Sequence, residues 1–173
     1  ACSELGIRSV AIYSEEDKTS LFRTKADESY LIKDAASPLS SYLDIEKIIA
    51  IAKSKHCDAI HPGYGFLSEN ADFVKQVEAQ GLVFIGPTCE QILIFGLKHK
   101  AREIAIATGV PLSPGSGLLI DVQQAKREAK RIGYPLMLKS TAGGGGIGLT
   151  RCDTPQALTD AYESVKRLGE KFF

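Results

Sequence analysis

Short β-rich runs alternate with helical periods from Ser9 to Pro87, and this alternation restricts the fold more than any other feature of the chain. Ser9–Tyr13 and Ser29–Ile32 are the first two runs. Asp44 is placed to cap a helix whose apolar positions, Ile45, Ile48, Ile49 and Ala52, follow the 3.6-residue period. Asp58-Ala-Ile-His61 is a brief strand that breaks off at Pro62-Gly63. Asn70–Ala79 has the pattern of a helix, with Phe73 and Val77 on one face, Gly81 as its stop and Ser68 available as its cap. Leu82–Ile85 is an apolar strand ended by Gly86-Pro87. Strands that alternate with helices are joined by crossovers and lie parallel, so this region is expected to form an open α/β sheet. Ligands of such sheets bind beyond the carboxyl ends of the strands. Both His61-Pro-Gly-Tyr-Gly65 and Gly86-Pro87 fall at those ends.

After Gly86 the character changes. Cys89–Phe95 and Lys98–Thr108 read as helices, and Pro111-Leu-Ser-Pro-Gly-Ser-Gly117 is a turn-rich connector suited to a boundary. Asp121 caps a helix to Ile132 that Gly133 ends. Pro135–Ser140 is a strand, a glycine run follows, and Ile147–Cys152 returns as a second strand. Thr154-Pro155 starts a last helix that runs to about Leu168. A strand–loop–strand hairpin flanked by helices makes a small α+β lid. Ala-Cys-Ser-Glu-Leu-Gly6 reads as the last turn of a helix closed by Gly6, and Glu170-Lys-Phe-Phe173 leaves two aromatics uncovered, so the chain is expected to be an internal segment.

The balance of 21 basic and 21 acidic residues gives zero net charge, which argues against a nucleic-acid-binding or membrane-surface protein. No run approaches the roughly 18 apolar residues that span a bilayer, and the first residues lack the pattern of a secretory leader. Cys2, Cys57, Cys89 and Cys152 show no Cys-x-x-Cys pairing and no histidine at zinc-finger spacing. They are expected to be reduced, mostly buried thiols of a cytoplasmic protein.

Gly143, Gly144, Gly145 and Gly146 run consecutively, with Gly148 just beyond Ile147. Glycine accepts positive φ and lets backbone N–H groups crowd against an anion, as phosphate oxygens require. A plain hairpin turn or linker is the alternative, but a linker seldom joins two apolar strands with Lys139 leading into it. Neither the Walker A pattern nor the dinucleotide fingerprint is present. Lys139 ends its strand and is expected to point toward an anion, unless it is an edge lysine that deters aggregation. Lys98 opens a helix beside the connector and would otherwise pass as a surface lysine. In the loop His61–Asn70, Gly63 and Gly65 permit a tight path that would present Tyr64 to a cleft. His56 and His99 lie in polar helical settings, and no catalytic histidine set or metal-binding pair of carboxylates stands out.

Taken together, His61-Pro-Gly-Tyr-Gly-Phe-Leu-Ser-Glu-Asn70, Phe84-Ile-Gly-Pro87, Gly109-Val-Pro111, Pro114-Gly115 and Tyr134-Pro135 leading to Lys139 and the glycine run resemble the biotin carboxylase component of biotin-dependent carboxylases, of the ATP-grasp group. The resemblance implies an open parallel-sheet, Rossmann-like N-terminal (pre-ATP-grasp) domain over residues 1–86, a helical linker over 87–114 and an ATP-grasp lid over 115–173. It implies that ATP phosphorylates bicarbonate to carboxyphosphate, whose CO₂ passes to biotin on a carrier domain. By position Lys98 and Lys139 look like the family's ATP-binding lysines, and Gly145 and Gly146 like its lid backbone over the phosphates. Tyr64 and Gly65 look like the border of the biotin pocket.

Gly96-Leu-Lys-His99, Ala101-Arg-Glu103 and Ser140–Gly148, with Ile147 where many relatives carry a basic residue, resemble urea carboxylase and urea amidolyase. That likeness implies a carboxyltransferase domain that makes allophanate from urea, and a homodimer of the full enzyme. Acetyl-CoA, propionyl-CoA or pyruvate carboxylase is the second reading, and a non-enzymatic ATP-sensing module the third. The family's opening Asn-Arg-Gly-Glu-Ile-Ala-like strand would precede Ala1. Its Mg²⁺ ligands and its bicarbonate- and biotin-binding basic residues would follow Phe173. The chain alone is therefore expected not to turn over ATP.

Overall fold

The computed structural model describes residues 1–32, 37–141 and 148–172, with backbone alone at residues 38 and 169–172. The chain divides into two compact units, Ala1–Ile92 and Leu93–Phe173. Among the described residues, no helix is long and apolar enough to cross a membrane.

In the first unit, β1 (Val10–Tyr13) is followed by α1 (Leu21–Lys25), β2 (Glu28–Leu31), α2 (Pro38–Ser41), α3 (Ile45–Ser54), β3 (Ala59–Ile60), α4 (Ala71–Ala79) and β4 (Val83–Phe84). Strand β1 pairs parallel with β2 in the register Val10↔Glu28, and β3 pairs parallel with β4 in the register Ala59↔Val83. The expected parallel arrangement is thus present, as two ladders that no strand pairing joins among the described residues. Beyond the short β3–β4 ladder, the Val83 amide donates to the Asp58 carbonyl and the Ile85 amide to that of Ile60, each at 2.9 Å.

Helices α3 and α4 form where the apolar period predicts them because that period gives each an inward stripe. Ile48, Ile49 and Ala52 of α3 and Phe73, Val74 and Val77 of α4 are buried in one cluster with Ile32, Leu67, Leu82 and Phe84. Phe73 meets Phe84 edge-on, ring centroids 5.9 Å apart, the geometry favoured by the aromatic quadrupole. Asp44 caps α3 as expected, accepting from the Lys47 amide at 3.0 Å. The cap of α4 is Asn70 rather than Ser68, accepting from the Phe73 amide at 2.8 Å. Ser68 lies two residues too early, and its own amide is committed to the Gly65 carbonyl in the preceding turn.

Several expectations need correction. The opening residues form a single 3₁₀ turn, Ser3–Leu5, with Gly6 in the left-handed region as its cap. Helices α1 and α2 were not foreseen, since four or five residues are too few to display a helical hydrophobic period. All four cysteines are free, but only Cys152 is buried: Cys57 and Cys89 sit half-buried at the edge of the first core, and Cys2 is exposed beside the 3₁₀ turn.

The second unit holds α6 (Lys98–Ala107), α7 (Val122–Ile132), β5 (Leu136–Lys139), β6 (Leu149–Cys152) and α8 (Pro155–Phe172); α5 (Cys89–Phe95) runs across the division. Strands β5 and β6 are antiparallel, Leu136 opposite Cys152 and Lys139 opposite Leu149. Their inner side chains Leu138 and Cys152 pack with Ala125 and Ala129 of α7 and Leu158, Tyr162 and Val165 of α8. Small residues on α7 let its axis lie close to α8. Burial pushes the Cys152 thiol above its ordinary pKa, which keeps it protonated and inert. Helix α8 continues past Leu168 to Phe172. The connector is held at two points: both terminal nitrogens of Arg102 donate to the Ser113 carbonyl at 3.1 Å, and Arg131 donates to the Gly115 carbonyl at 2.9 Å.

A polar network ties α2 back to β1. The Ser14 amide donates to the Tyr42 hydroxyl at 3.0 Å, and that hydroxyl donates to the Asp17 carboxylate. Ser20 also donates to Asp17, at 2.8 Å. The Tyr42 bond, with help from Ser20, lowers the Asp17 pKa below the ordinary carboxylate value. A depressed folded-state value contributes stability above the unfolded carboxylate's pKa, and that contribution disappears as pH falls through the folded value. Tyr42→Phe is therefore expected to raise the Asp17 pKa and to make unfolding less acid-dependent between neutral pH and pH about 3. Carbon-detected NMR titration of Asp17 and urea melts at both pH extremes measure this; an unchanged Asp17 titration would refute the assignment.

Candidate functional site

The end of β5 is fixed from two sides. On one, the Ser140 amide donates to the Gly148 carbonyl at 2.8 Å and closes the hairpin beyond the Lys139–Leu149 pair. On the other, the Thr141 carbonyl accepts from the Lys98 amide at 3.0 Å, and the Thr141 hydroxyl shares a hydrogen bond with His99 Nδ1. The first amides of a helix have no partner within the helix. Helix α6 has no side-chain cap at Leu97, and Thr141 satisfies one of those amides from a distant part of the chain.

This clamp brings Lys98 and Lys139 to one cleft of about 1520 Å³ that is bounded by α6, α7, β5 and α8. Burial along β5 alternates, with Leu138 inward and Met137 and Lys139 exposed. That alternation places the Lys139 side chain on the open face of the strand. Lys98 is exposed as the first residue of α6. The first turn of α6 contains no carboxylate, so the positive end of its dipole adds to the lysine charges instead of being offset. Exposed apolar side chains of Phe95, Leu118, Ile120 and Met137 line the same cleft. Cations beside an apolar wall suit a ligand with an anionic end and a flat apolar end. Among the described residues no cluster of three or more His, Cys, Asp or Glu could hold a metal ion.

Gly148 is buried at the hairpin base with φ +69°, and a Cβ there would lie 2.6 Å from Ser140 Oγ. Hairpin closure alone therefore accounts for glycine at this position. Gly143, Gly144, Gly145, Gly146 and Ile147 lie outside the described residues. Tyr64 and Gly65 belong to the first unit. Tyr64 is 99% exposed at the tip of its loop, and Gly65 holds φ +76°. Gly63 donates its amide to His61 Nδ1 at 3.0 Å, Leu67 anchors the loop in the core, and Phe66 packs on Tyr42. His99 and Thr141 were not singled out from sequence. They are 42 residues apart, and no local pattern pairs a helical histidine with a threonine at a strand end.

A family model described as "Biotin carboxylase, N-terminal domain" matches residues 1–92. The chain belongs to the biotin carboxylase family. A second model, "Carbamoyl-phosphate synthase L chain, ATP binding domain", matches residues 98–173. Among curated relatives, urea amidolyase of Saccharomyces cerevisiae is 50% identical over 170 residues, 98% of this chain and 9% of the relative. Pyruvate carboxylase of Staphylococcus aureus is 49% identical over 174 residues, 100% of this chain and 15% of the relative. Of solved structures, the biotin carboxylase domain dimer of Hydrogenobacter thermophilus 2-oxoglutarate carboxylase, in complex with MgADP, ADP and bicarbonate, superposes with TM-score 0.88 at 44% identity. That match covers 99% of this chain and 38% of the solved one. The chain thus spans a minor part of each of these biotin carboxylase relatives. Urea and pyruvate carboxylases are equally near, so the comparisons do not single out urea.

The hairpin geometry gives a direct test. Gly148→Ala is expected to cost about 1–2 kcal/mol for the left-handed backbone alone, with the Ser140 contact adding to it. Urea unfolding gives the energy, and amide exchange at Ser140 should accelerate. An unchanged Ser140 amide and unchanged stability would remove the hairpin account of Gly148.

Proposed function

We propose that this chain is the nucleotide-binding portion of a biotin carboxylase that carboxylates carrier-bound biotin with ATP and bicarbonate, as the first half-reaction of a urea carboxylase. The observation that carries the reading is the joining of Lys98 and Lys139 in one cleft at the base of the glycine hairpin. In this proposal both lysines face the ATP phosphates and neutralise their charge, while Gly143 to Gly146 and Gly148 form the covering loop. The apolar wall receives the adenine. Tyr64 and Gly65 border the biotin pocket. Residues 1–86, 87–114 and 115–173 act as N-terminal domain, helical linker and lid. Mg²⁺, held by carboxylates elsewhere in the full protein, bridges the phosphates. The carrier domain, a carboxyltransferase domain and a second copy of the enzyme are its partners.

Urea as final acceptor is supported by Gly96-Leu-Lys-His99 and by the identity to urea amidolyase. Pyruvate is the second reading, supported by the 49% identity to a pyruvate carboxylase. In the full-length protein, ATP hydrolysis should require bicarbonate, and carboxylation should proceed with urea but not with pyruvate or acetyl-CoA. Activity with pyruvate alone would replace the acceptor and leave the first half-reaction intact. Loss of a charged hydrogen bond costs roughly 1.5–3 kcal/mol, so Lys139→Ala should weaken ATP binding about tenfold to a hundredfold. Unchanged nucleotide affinity, measured calorimetrically, would exclude Lys139 from the site.

A further inference from the structure

We propose that His99 is a positioning residue: with Thr141 it locks the start of α6 to the end of β5, so that Lys98 and Lys139 are presented to one ligand from a single rigid frame. The inference rests on the reading of this cleft as the ATP site. Three observations carry it. First, His99 follows Lys98 directly, and the two use the same residue, Thr141: Lys98 through its amide to the Thr141 carbonyl at 3.0 Å, His99 through Nδ1 to the Thr141 hydroxyl. Second, Thr141 stands two residues beyond Lys139, and the intervening Ser140 is buried and bonded to Gly148 at 2.8 Å. Every residue from Lys139 to Thr141 is thereby tied to the hairpin or to α6. Third, α6 lacks any side-chain cap of its own, so its first turn depends on this remote attachment for its orientation.

A lysine has four rotatable side-chain bonds, and its useful reach depends on where its Cα is held. Two lysines on separate elements act together on one anion only if those elements keep a fixed separation. Arg102 holds the middle of α6 to the Ser113 carbonyl, but without His99 only the Lys98 amide ties its first turn to the end of β5. The second bond, made one residue later by His99, fixes the orientation of that first turn against β5. Because the bond uses Nδ1, asparagine, whose terminal amide reaches the same point from the backbone, should replace histidine, whereas leucine should not.

The test uses the full-length protein with His99→Leu, Thr141→Val, the double variant and His99→Asn. Loss of one hydrogen bond of ordinary strength should raise the KM for ATP about threefold to tenfold in each single variant and leave the KM for bicarbonate unchanged. The double variant should be no worse than either single one, because the two side chains act as one unit. His99→Asn should stay within about twofold of the parent, which is less than the loss of one such bond. Amide exchange in the peptide containing Lys98 should accelerate in His99→Leu and not in His99→Asn. Additive effects, or an unchanged KM for ATP with unchanged exchange in a folded His99→Leu protein, would overturn the inference while the parent enzyme still consumes ATP with bicarbonate. A parent protein that neither binds nor hydrolyses ATP would instead overturn the reading of the cleft, and the inference with it.

Discussion

The hydrogen bond from the Lys98 amide to the Thr141 carbonyl, at 3.0 Å, joins two parts of the second unit that sequence keeps far apart. One end belongs to a helix with no fully buried side chain, whose two isoleucines, Ile104 and Ile106, are half-buried and exposed respectively. The other belongs to a strand fastened to a hydrophobic core through Leu138 and Cys152. A helix with so little apolar area cannot fix its position by burial. It takes its place from polar attachments: Thr141 at its start and, through Arg102, the Ser113 carbonyl further along. The cleft follows from that arrangement.

The first unit is built on the opposite principle. Helices α3 and α4 bury continuous apolar stripes, and their caps Asp44 and Asn70 satisfy one end each. The loop His61–Asn70 gains its shape from both sources. Leu67 drops into the core, Phe66 packs on Tyr42, and the His61 ring accepts the Gly63 amide, leaving Tyr64 extended into solvent.

What the sequence revealed divides along the same line. Periodicity locates α3 and α4 closely, because their cores are written as repeating apolar positions, and the Asp121 cap and Gly133 stop locate α7. The strand at Asp58–His61 was foreseen but proved shorter, since an apolar run does not say where its partner ends. Ser68 and Asn70 are equally plausible caps by residue type, and the start of the helix at Ala71 decides between them, since only Asn70 stands three residues before the Phe73 amide it accepts from. Lys139 stands out at a strand end and Lys98 beside the connector, the resemblance adds their expected role, and their meeting in one cleft is a tertiary fact. The sequence puts His99 in a polar helical setting and carries no sign of a partner 42 positions away. Polar contacts between remote residues leave no periodic trace, so the site was less legible than the core beneath it.

The first turn of α6, with Lys98 and Lys100 and no carboxylate, has one more consequence. Lys100 is paired with Glu103 at 3.0 Å, but the positive end of the helix dipole still faces water and gathers counter-ions. At about 0.15 M salt the screening length is roughly 8 Å, comparable to the span of a triphosphate. Sulfate, inorganic phosphate and chloride in the buffer thus become rivals for the same space, and ionic strength acts on this cleft as a competing solute.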